Sequence, residues 1–181
     1  MSKTTPPHFL GRAILVMGVS GSGKTTVAER LAKGLGWEFE EGDGLHPAAN
    51  VEKMRQGIPL DDADRAPWLD RIGDKLKEWG ADRRSGVMTC SALKRAYRDR
   101  IRAARPDLHF VYLKGSEALI GARVAARHHE YMPASLLHSQ FETLEEPSPD
   151  ESVVTIDANG PPEVQIEEIV AALDLAGGEQ A

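Results

Sequence analysis

A chain of 181 residues, 41% hydrophobic and 28% charged, has the size and balance of one folded domain that buries roughly 70% of its extended surface, which excludes wholesale disorder. Its single cysteine, Cys90, excludes an internal disulfide and suits a reducing, cytoplasmic setting. A net charge of −6 argues against nucleic acid as a partner, no apolar run approaches the ~18 residues of a membrane span, and Pro6 and Pro7 stand where a secretory leader would be apolar.

Ala13-Ile14-Leu15-Val16-Met17 is a short, continuous apolar run followed by glycines, which predicts a central parallel strand buried on both faces. From Lys24 the apolar spacing becomes helical, with Val27, Leu31 and Leu35 four apart, until Gly34 and Gly36 stop it. A short extended piece, Trp37 to Glu40, follows. Pro47 then suits the first turn of a helix running to about Gln56, ended by Gly57 to Pro59. Asp61-Asp62-Ala63-Asp64 supplies caps for a longer helix that turns Trp68, Leu69, Ile72, Leu76 and Trp79 to the core.

Val87 to Ser91 reads as a second buried strand, followed by a basic helix from Lys94 to about Arg105 with Tyr97 and Ile101 inward and Pro106 as its stop. A strand from His109 to Leu113 and a helix from Ser116 to Arg127 come next. The polar segment His128 to Glu130 leads through Pro133 to another helical run, and a strand from Val153 to Ile156 and a helix from Pro162 to Leu175 close the chain. Strands alternating with helices predict an α/β domain of three layers, a central parallel sheet flanked by helices. Residues 1–181 read as one such domain, with an ordered core over about 9–176 and disordered tails, Met1 to His8 and Gly177 to Ala181.

Gly18-Val19-Ser20-Gly21-Ser22-Gly23-Lys24-Thr25 fits the P-loop pattern G-x-x-x-x-G-K-[ST], between a buried strand and an amphipathic helix as that pattern requires, and the loop extends to Thr26. Its glycines let backbone N–H groups converge on phosphate oxygens, the helix N-terminus adds positive potential, Lys24 reaches the outer phosphates of ATP, and the Thr25 hydroxyl can ligate magnesium. Many P-loop proteins end another apolar strand in aspartate. Here Val87 to Cys90 runs into Ser91, which leaves Asp43, after the strand that follows the P-loop helix, as the carboxylate able to meet the γ-phosphate where parallel strands end. Asp43 has two functional readings, the base for an acceptor hydroxyl or a metal-side carboxylate, and one structural reading, a turn residue between Gly42 and Gly44.

Further motifs resemble one family over roughly residues 12–175, the span a single domain would occupy. They are Gly42-Asp43-x-Leu45-His46-Pro47-x-x-Asn50, Lys53-Met54-x-x-Gly57-x-Pro59-Leu60, Asp62-x-Asp64-Arg65-x-Pro67-Trp68-Leu69, Cys90-Ser91-Ala92-Leu93-Lys94-x-x-Tyr97-Arg98-Asp99, Tyr112-Leu113-Lys114-Gly115 and Ser139-Gln140-Phe141-x-Thr143-Leu144-Glu145. With the P-loop, these are similar to the gluconate kinases of the P-loop kinase group. The resemblance implies a shikimate-kinase-like or adenylate-kinase-like fold, commonly a homodimer, that moves the γ-phosphate of magnesium ATP to the 6-hydroxyl of D-gluconate.

A sugar acid needs a cation for its carboxylate and polar groups for its hydroxyls, and His46, Arg55, Lys94 and Arg98 are the candidates. Lys94 and Arg98 are four apart on a helix that starts at the end of a strand, so both are expected to lean over the crevice, where an arginine fork suits a carboxylate. The competing reading is a solvated basic face, since Arg95, Arg100 and Arg102 share the helix. His46 has the alternative of capping beside Pro47, and Asp64 with Arg65 reads as a capping pair.

Arg123 and Arg127 are four apart just before the polar His128-His129-Glu130 segment, a place, about 124–135, that in related kinases is a lid closing over ATP and bringing arginines to the phosphates. Where the family usually has Gly-His before an aromatic-Met pair, this chain has His129-Glu130 before Tyr131-Met132, so no lid histidine role carries over. His128-His129-Glu130 lacks the i, i+4 spacing of a helical zinc site, and Cys90 reads as inert core. Residues around Asp157 to Pro161 are the expected wall of the adenine pocket. The catalytic assignment is therefore Lys24, Asp43 and Arg127. Three rivals remain: a kinase of the same fold acting on shikimate or another small hydroxy acid, a P-loop nucleotide-binding switch, and a nucleic-acid end kinase suggested by the basic helix.

Overall fold

A computed structural model describes residues 11–127 and 134–176. Both predicted tails, and His128, His129, Glu130, Tyr131 and Met132 at the centre of the expected lid, lie outside the described residues.

Strand β1 (Ala13–Met17) is 0% exposed along its whole length. Because side chains of a strand alternate between its two faces, Ala13, Leu15 and Met17 join one core with Trp68, Ile72, Leu76, Trp79 and Phe110. Ile14 and Val16 join the other, with Val27, Leu31, Val87, Val111, Leu113 and Ile169. Two cores, one on each face of a sheet, are what a continuous apolar strand demands.

Helix α1 (Lys24–Leu35) follows the P-loop, and Gly36, in the left-handed region at φ 67°, ends it. Next come β2 (Glu38–Glu41), a 3-10 turn at Gly42–Leu45, α2 (Ala48–Arg55) and the long α3 (Asp62–Ala81). The second half carries β3 (Gly86–Thr89), α4 (Arg95–Ala104), β4 (His109–Lys114), α5 (Glu117–Ala126), α6 (Ala134–Thr143), β5 (Val154–Asp157) and α7 (Pro162–Ala172). The described strands form one parallel sheet in the order β2-β3-β1-β4-β5. The chain thus moves to one side of β1 first and to the other later, and the strand ends around β1 leave the crevice in which such sheets bind ligands.

The predicted elements are present, with three instructive shifts. The piece expected at Trp37 to Glu40 is an edge strand one residue further on, which carries Glu41 to the end of the sheet. Pro47 stands outside α2 as its N-cap, with its carbonyl accepting from the amides of Asn50 and Val51. Strand β3 stops at Thr89 because the chain turns at Ala92, which has φ 45° although it carries a side chain. The acidic cap of α3 is a reciprocal one: the Asp64 amide donates to Asp61 Oδ1 at 2.7 Å and the Asp61 amide to Asp64 Oδ2 at 3.0 Å.

Candidate active site

Strand β1 ends at Met17, and the glycine loop from Gly18 leads directly into the first turn of α1, an arrangement that turns loop amides and a helix N-terminus toward one anion. Gly21 lies at φ 80°, and a Cβ there would come 2.5 Å from Val124 Cγ2, so only glycine lets α5 rest against the loop. Val19 and Ser22 are buried, and Ser22 Oγ is an orphan among the described residues, a group that phosphate oxygens would satisfy. Lys24 is buried with Nζ donating to the Gly18 and Val19 carbonyls at 3.0 and 2.9 Å. Burial pushes its ammonium pKa down, and the nearby charges of Asp43 and Glu41 push it back up.

Strand β2 delivers Glu41 to this place. The exposed Thr25 donates from Oγ1 to Glu41 Oε2 at 2.6 Å, and Thr89 at the end of β3 donates to the other carboxylate oxygen. Gly42 makes the convergence possible, since a Cβ on it would fall 1.8 Å from the Thr89 carbonyl oxygen. Its amide donates to Thr89 Oγ1 at 3.1 Å and its carbonyl accepts from Trp68 Nε1 at 2.8 Å. A hydroxyl and a carboxylate side by side at a P-loop form an all-oxygen donor set, which fits a small hard cation held by few protein ligands and several waters. Glu41 was missed from sequence. Its signal was the spacing Glu41-x-Asp43, two carboxylates at one strand end.

Beside the loop opens a cavity of about 350 Å³ that brings together Lys24, Asp43, His46, Arg55, Arg65, Trp68, Ser91 and Gln140. Asp43 reaches it from the turn after β2. His46 is stacked on Trp68, ring centroids 4.0 Å apart and 16° from parallel, and its Nδ1 meets Asn50 Nδ2 at 3.2 Å. Burial, seconded by the charge of Arg65, pushes the His46 pKa down to about 4, so the imidazole is neutral in ordinary buffers.

Arg65 was read as half of a capping pair, and only Asp64 is a cap. The next residue along α3 points the other way: Arg65 is 9% exposed, donates from Nη1 to the Tyr97 hydroxyl at 3.1 Å and lines the cavity. Gln140 of α6 was quoted in a motif without a role. Its Oε1 accepts from the Ser20 amide at 2.8 Å and its Nε2 donates to Ser20 Oγ at 3.1 Å, docking α6 on the P-loop.

Two expected substrate residues stand elsewhere. The Arg98 side chain is 1% exposed and paired with Glu151, so it turns into the core and not over the crevice. Lys94 pairs with Asp62 at 2.9 Å and lies over the Tyr97 ring, outside the residues lining the cavity. The rest of the basic helix is likewise turned inward or paired. Arg95 reaches Ser148 and Asp150, Arg102 the Glu151 carbonyl, Arg100 Asp70 and Arg105 Asp107. Within this charge run Arg98, Arg102 and Arg105 turn inward as clamps, while Arg95 and Arg100 stay on the solvated face in surface ion pairs.

Arg55 does line the cavity, with a largely exposed side chain 3.4 Å from Glu52. Thr26 is half-buried in the first turn of α1. Arg123 is half-buried on α5 and Arg127 exposed just beyond its end, and neither is among the residues lining the cavity. A second cavity of about 810 Å³ opens past the ends of β4 and β5, with Lys114, Ser116, Asp157 and Asn159 in its wall. Cys90 is buried and its thiol pKa is pushed up to about 12 by burial, in keeping with inert core. No helix among the described residues is long and apolar enough to cross a membrane.

A family model described as an AAA domain matches residues 14–147. The chain is 50% identical over 159 residues to the gluconokinase of Gluconobacter oxydans (strain 621H), covering 88% of this chain and 89% of that protein. It superposes on the crystal structure of a gluconokinase from Sinorhizobium meliloti 1021 with a TM-score of 0.83 and 44% identity, covering 94% of this chain and 99% of that one. The likeness to shikimate kinase from Aquifex aeolicus, TM-score 0.57 and 16% identity over 93% of this chain and 99% of that one, is one of fold alone.

Proposed function

The chain belongs to the gluconokinase family, and from that premise we propose how its residues divide the work of transferring the γ-phosphoryl group of ATP to the 6-hydroxyl of D-gluconate, giving 6-phospho-D-gluconate and ADP. The observation that carries the reading is the cavity in which Asp43, Arg65 and His46 face the P-loop lysine. It joins a phosphate-binding loop to a pocket with a base, a buried cation and a neutral polar ring.

The loop amides from Gly18 to Thr26 and Lys24 hold the β- and γ-phosphates. Asp43, at the loop side of the acceptor cavity, takes the role of base and accepts the proton of the attacking hydroxyl, and the metal-side role passes to Glu41. Thr25 and Glu41 would hold magnesium, which when bound neutralises charge on the phosphate oxygens. Arg65 offers a guanidinium fork to the sugar-acid carboxylate, with the more exposed Arg55 at the rim. Arg123, just before the expected lid of about 124–135, and Arg127, within it, are assigned to the charge developing on the transferred group, and closure of that stretch would keep water from it. The adenine base is assigned to the side of the Asp157 to Pro161 turn. A homodimer acting in the cytoplasm completes the reading, to be checked by sedimentation and by fractionation.

Shikimate and other small hydroxy acids are not favoured as acceptors. The deciding experiment is ADP release from magnesium ATP with D-gluconate, 2-keto-D-gluconate, L-idonate, shikimate and glucose against a blank without acceptor. Turnover that depends on gluconate is the expected result. Equal release in every tube, or none, would overturn the acceptor assignment.

A further inference from the structure

Asn50, in the first turn of α2, is 3% exposed and touches no part of the P-loop in any hydrogen bond among the described residues. Its amide nitrogen makes two contacts, one to the Asp64 carbonyl at 2.8 Å and one to His46 Nδ1 at 3.2 Å. The first contact orients the amide. A carbonyl oxygen only accepts, so the group facing it is the NH2 and not Oδ1. The same nitrogen then presents its second hydrogen to His46, and Nδ1 must accept it. A proton on Nδ1 would set two donors against each other, so the imidazole carries its proton on Nε2.

The anchor for this choice is rigid. Asp64 closes the capping box with Asp61, and both its carboxylate oxygens accept from Lys53 at 2.8 Å, so the carbonyl that orients Asn50 belongs to a fixed turn. The ring itself is fixed by its stack on Trp68, whose indole nitrogen is tied to the Gly42 carbonyl. With one face on Trp68 and Nδ1 taken by Asn50, Nε2–H is the polar atom His46 has left to give, and His46 lines the acceptor cavity.

We propose that Asn50 is a positioning residue that fixes His46 as a neutral imidazole protonated on Nε2, so that the acceptor cavity presents a hydrogen-bond donor, and no added cation, to an oxygen of the sugar acid. This rests on the reading of the cavity as the gluconate site. The carboxylate is then matched by Arg65, and His46 selects an oxygen by direction and not by charge. A site that donates to a substrate oxygen discriminates against analogues lacking it, because its buried donor is left unpaired.

The test uses the full chain labelled with 15N-histidine and long-range 1H–15N correlation spectra, in which the two tautomers and the imidazolium give different patterns. His46 is assigned by the signal lost in His46→Gln. The wild type at neutral pH should show the Nε2–H tautomer, and Asn50→Asp, whose carboxylate can only accept from Nδ1, should move the proton to Nδ1 or add a second one. In steady-state assays Asn50→Asp should raise the gluconate KM about tenfold, with kcat and the ATP KM changed far less. His46→Gln, whose longer amide reaches the place of Nε2, should bind gluconate about tenfold better than His46→Asn, whose amide ends near Nδ1. An Nδ1–H tautomer or an imidazolium in the wild type overturns the proposal, as does equal gluconate KM in His46→Gln and His46→Asn. Should the wild type show no turnover with gluconate, the acceptor reading fails by itself, and the spectra, recorded without substrate, still decide the tautomer.

Discussion

Arg98 and Glu151 form a bidentate ion pair, Nε to Oε2 at 2.6 Å and Nη2 to Oε1 at 2.9 Å, with side chains only 1% and 2% exposed. The same guanidinium donates from Nη1 to the Ala92 and Leu93 carbonyls at 3.0 and 3.2 Å. It therefore ties the turn at Ser148 to Glu151 to the loop after β3, where Ala92 holds its positive φ and the Ser91 carbonyl accepts from the Gly18 amide. Removing one partner of a buried pair leaves the other charged and unmatched, so Arg98→Met should lose about 3–5 kcal/mol in urea unfolding. The Arg98 hydrogen bonds hold Glu151 at a pKa of about 2 against an ordinary 4.5. A depressed carboxylate stabilises above its unfolded pKa and loses that contribution as pH falls through the folded one, so wild-type stability should decline from about pH 4.5 toward about 2 by up to about 3 kcal/mol. Glu151→Gln should lack that decline. A gluconate KM raised in Arg98→Met with stability intact would return Arg98 to the acceptor site.

Asp43→Asn should lower kcat by about 10²–10⁴-fold, the range of general-base catalysis, with the ATP KM kept. Steady-state kinetics with gluconate and ATP varied separately make the check. A rise in the gluconate KM alone would make Asp43 a binding residue.

Glu41→Gln keeps a hydrogen-bond partner for Thr25 and Thr89 but removes the negative charge. The expected outcome is a magnesium concentration for half-maximal activity raised by about tenfold or more, since hard cations favour carboxylate oxygen. Activity titrated against free magnesium at fixed ATP measures it, and an unchanged midpoint would remove Glu41 from the metal side.

Arg65→Met preserves most of the length of the side chain and deletes the fork. The gluconate KM should rise by about 10–10²-fold, a charged hydrogen bond being worth about 1.5–3 kcal/mol, while the ATP KM stays near the wild-type value. Isothermal titration with gluconate gives the same answer without turnover.

His46 supplies a pH signature of its own. Its pKa falls from 6.5 in the unfolded chain to about 4 in the fold, so between these values the unfolded state binds more protons. Stability is therefore full above about pH 6.5 and declines as pH drops to about 4, by up to about 3 kcal/mol. Unfolding of His46→Gln across this range should be flatter than that of the wild type.

The P-loop, the five strands and the acidic cap of α3 were legible in the chain because each is a local matter. A buried strand, a glycine turn and a capping box are decided by residues within a few positions of one another, and backbone sterics and hydrogen bonding act at that range. The resemblance to gluconate kinases was likewise carried by contiguous motifs. What the chain order did not disclose is which side chains share a space. Glu41 became a partner of Thr25 only through the register of β2 on β3. Arg65 and Asp64, adjacent in sequence, part company because successive helical residues point about 100° apart, one to the cap and one to the cavity. Arg98 looked like a substrate anchor until Glu151, 53 residues later, took its fork. For a charged group the decisive quantity is its partner and its exposure to water, and both are set by tertiary contacts between distant segments.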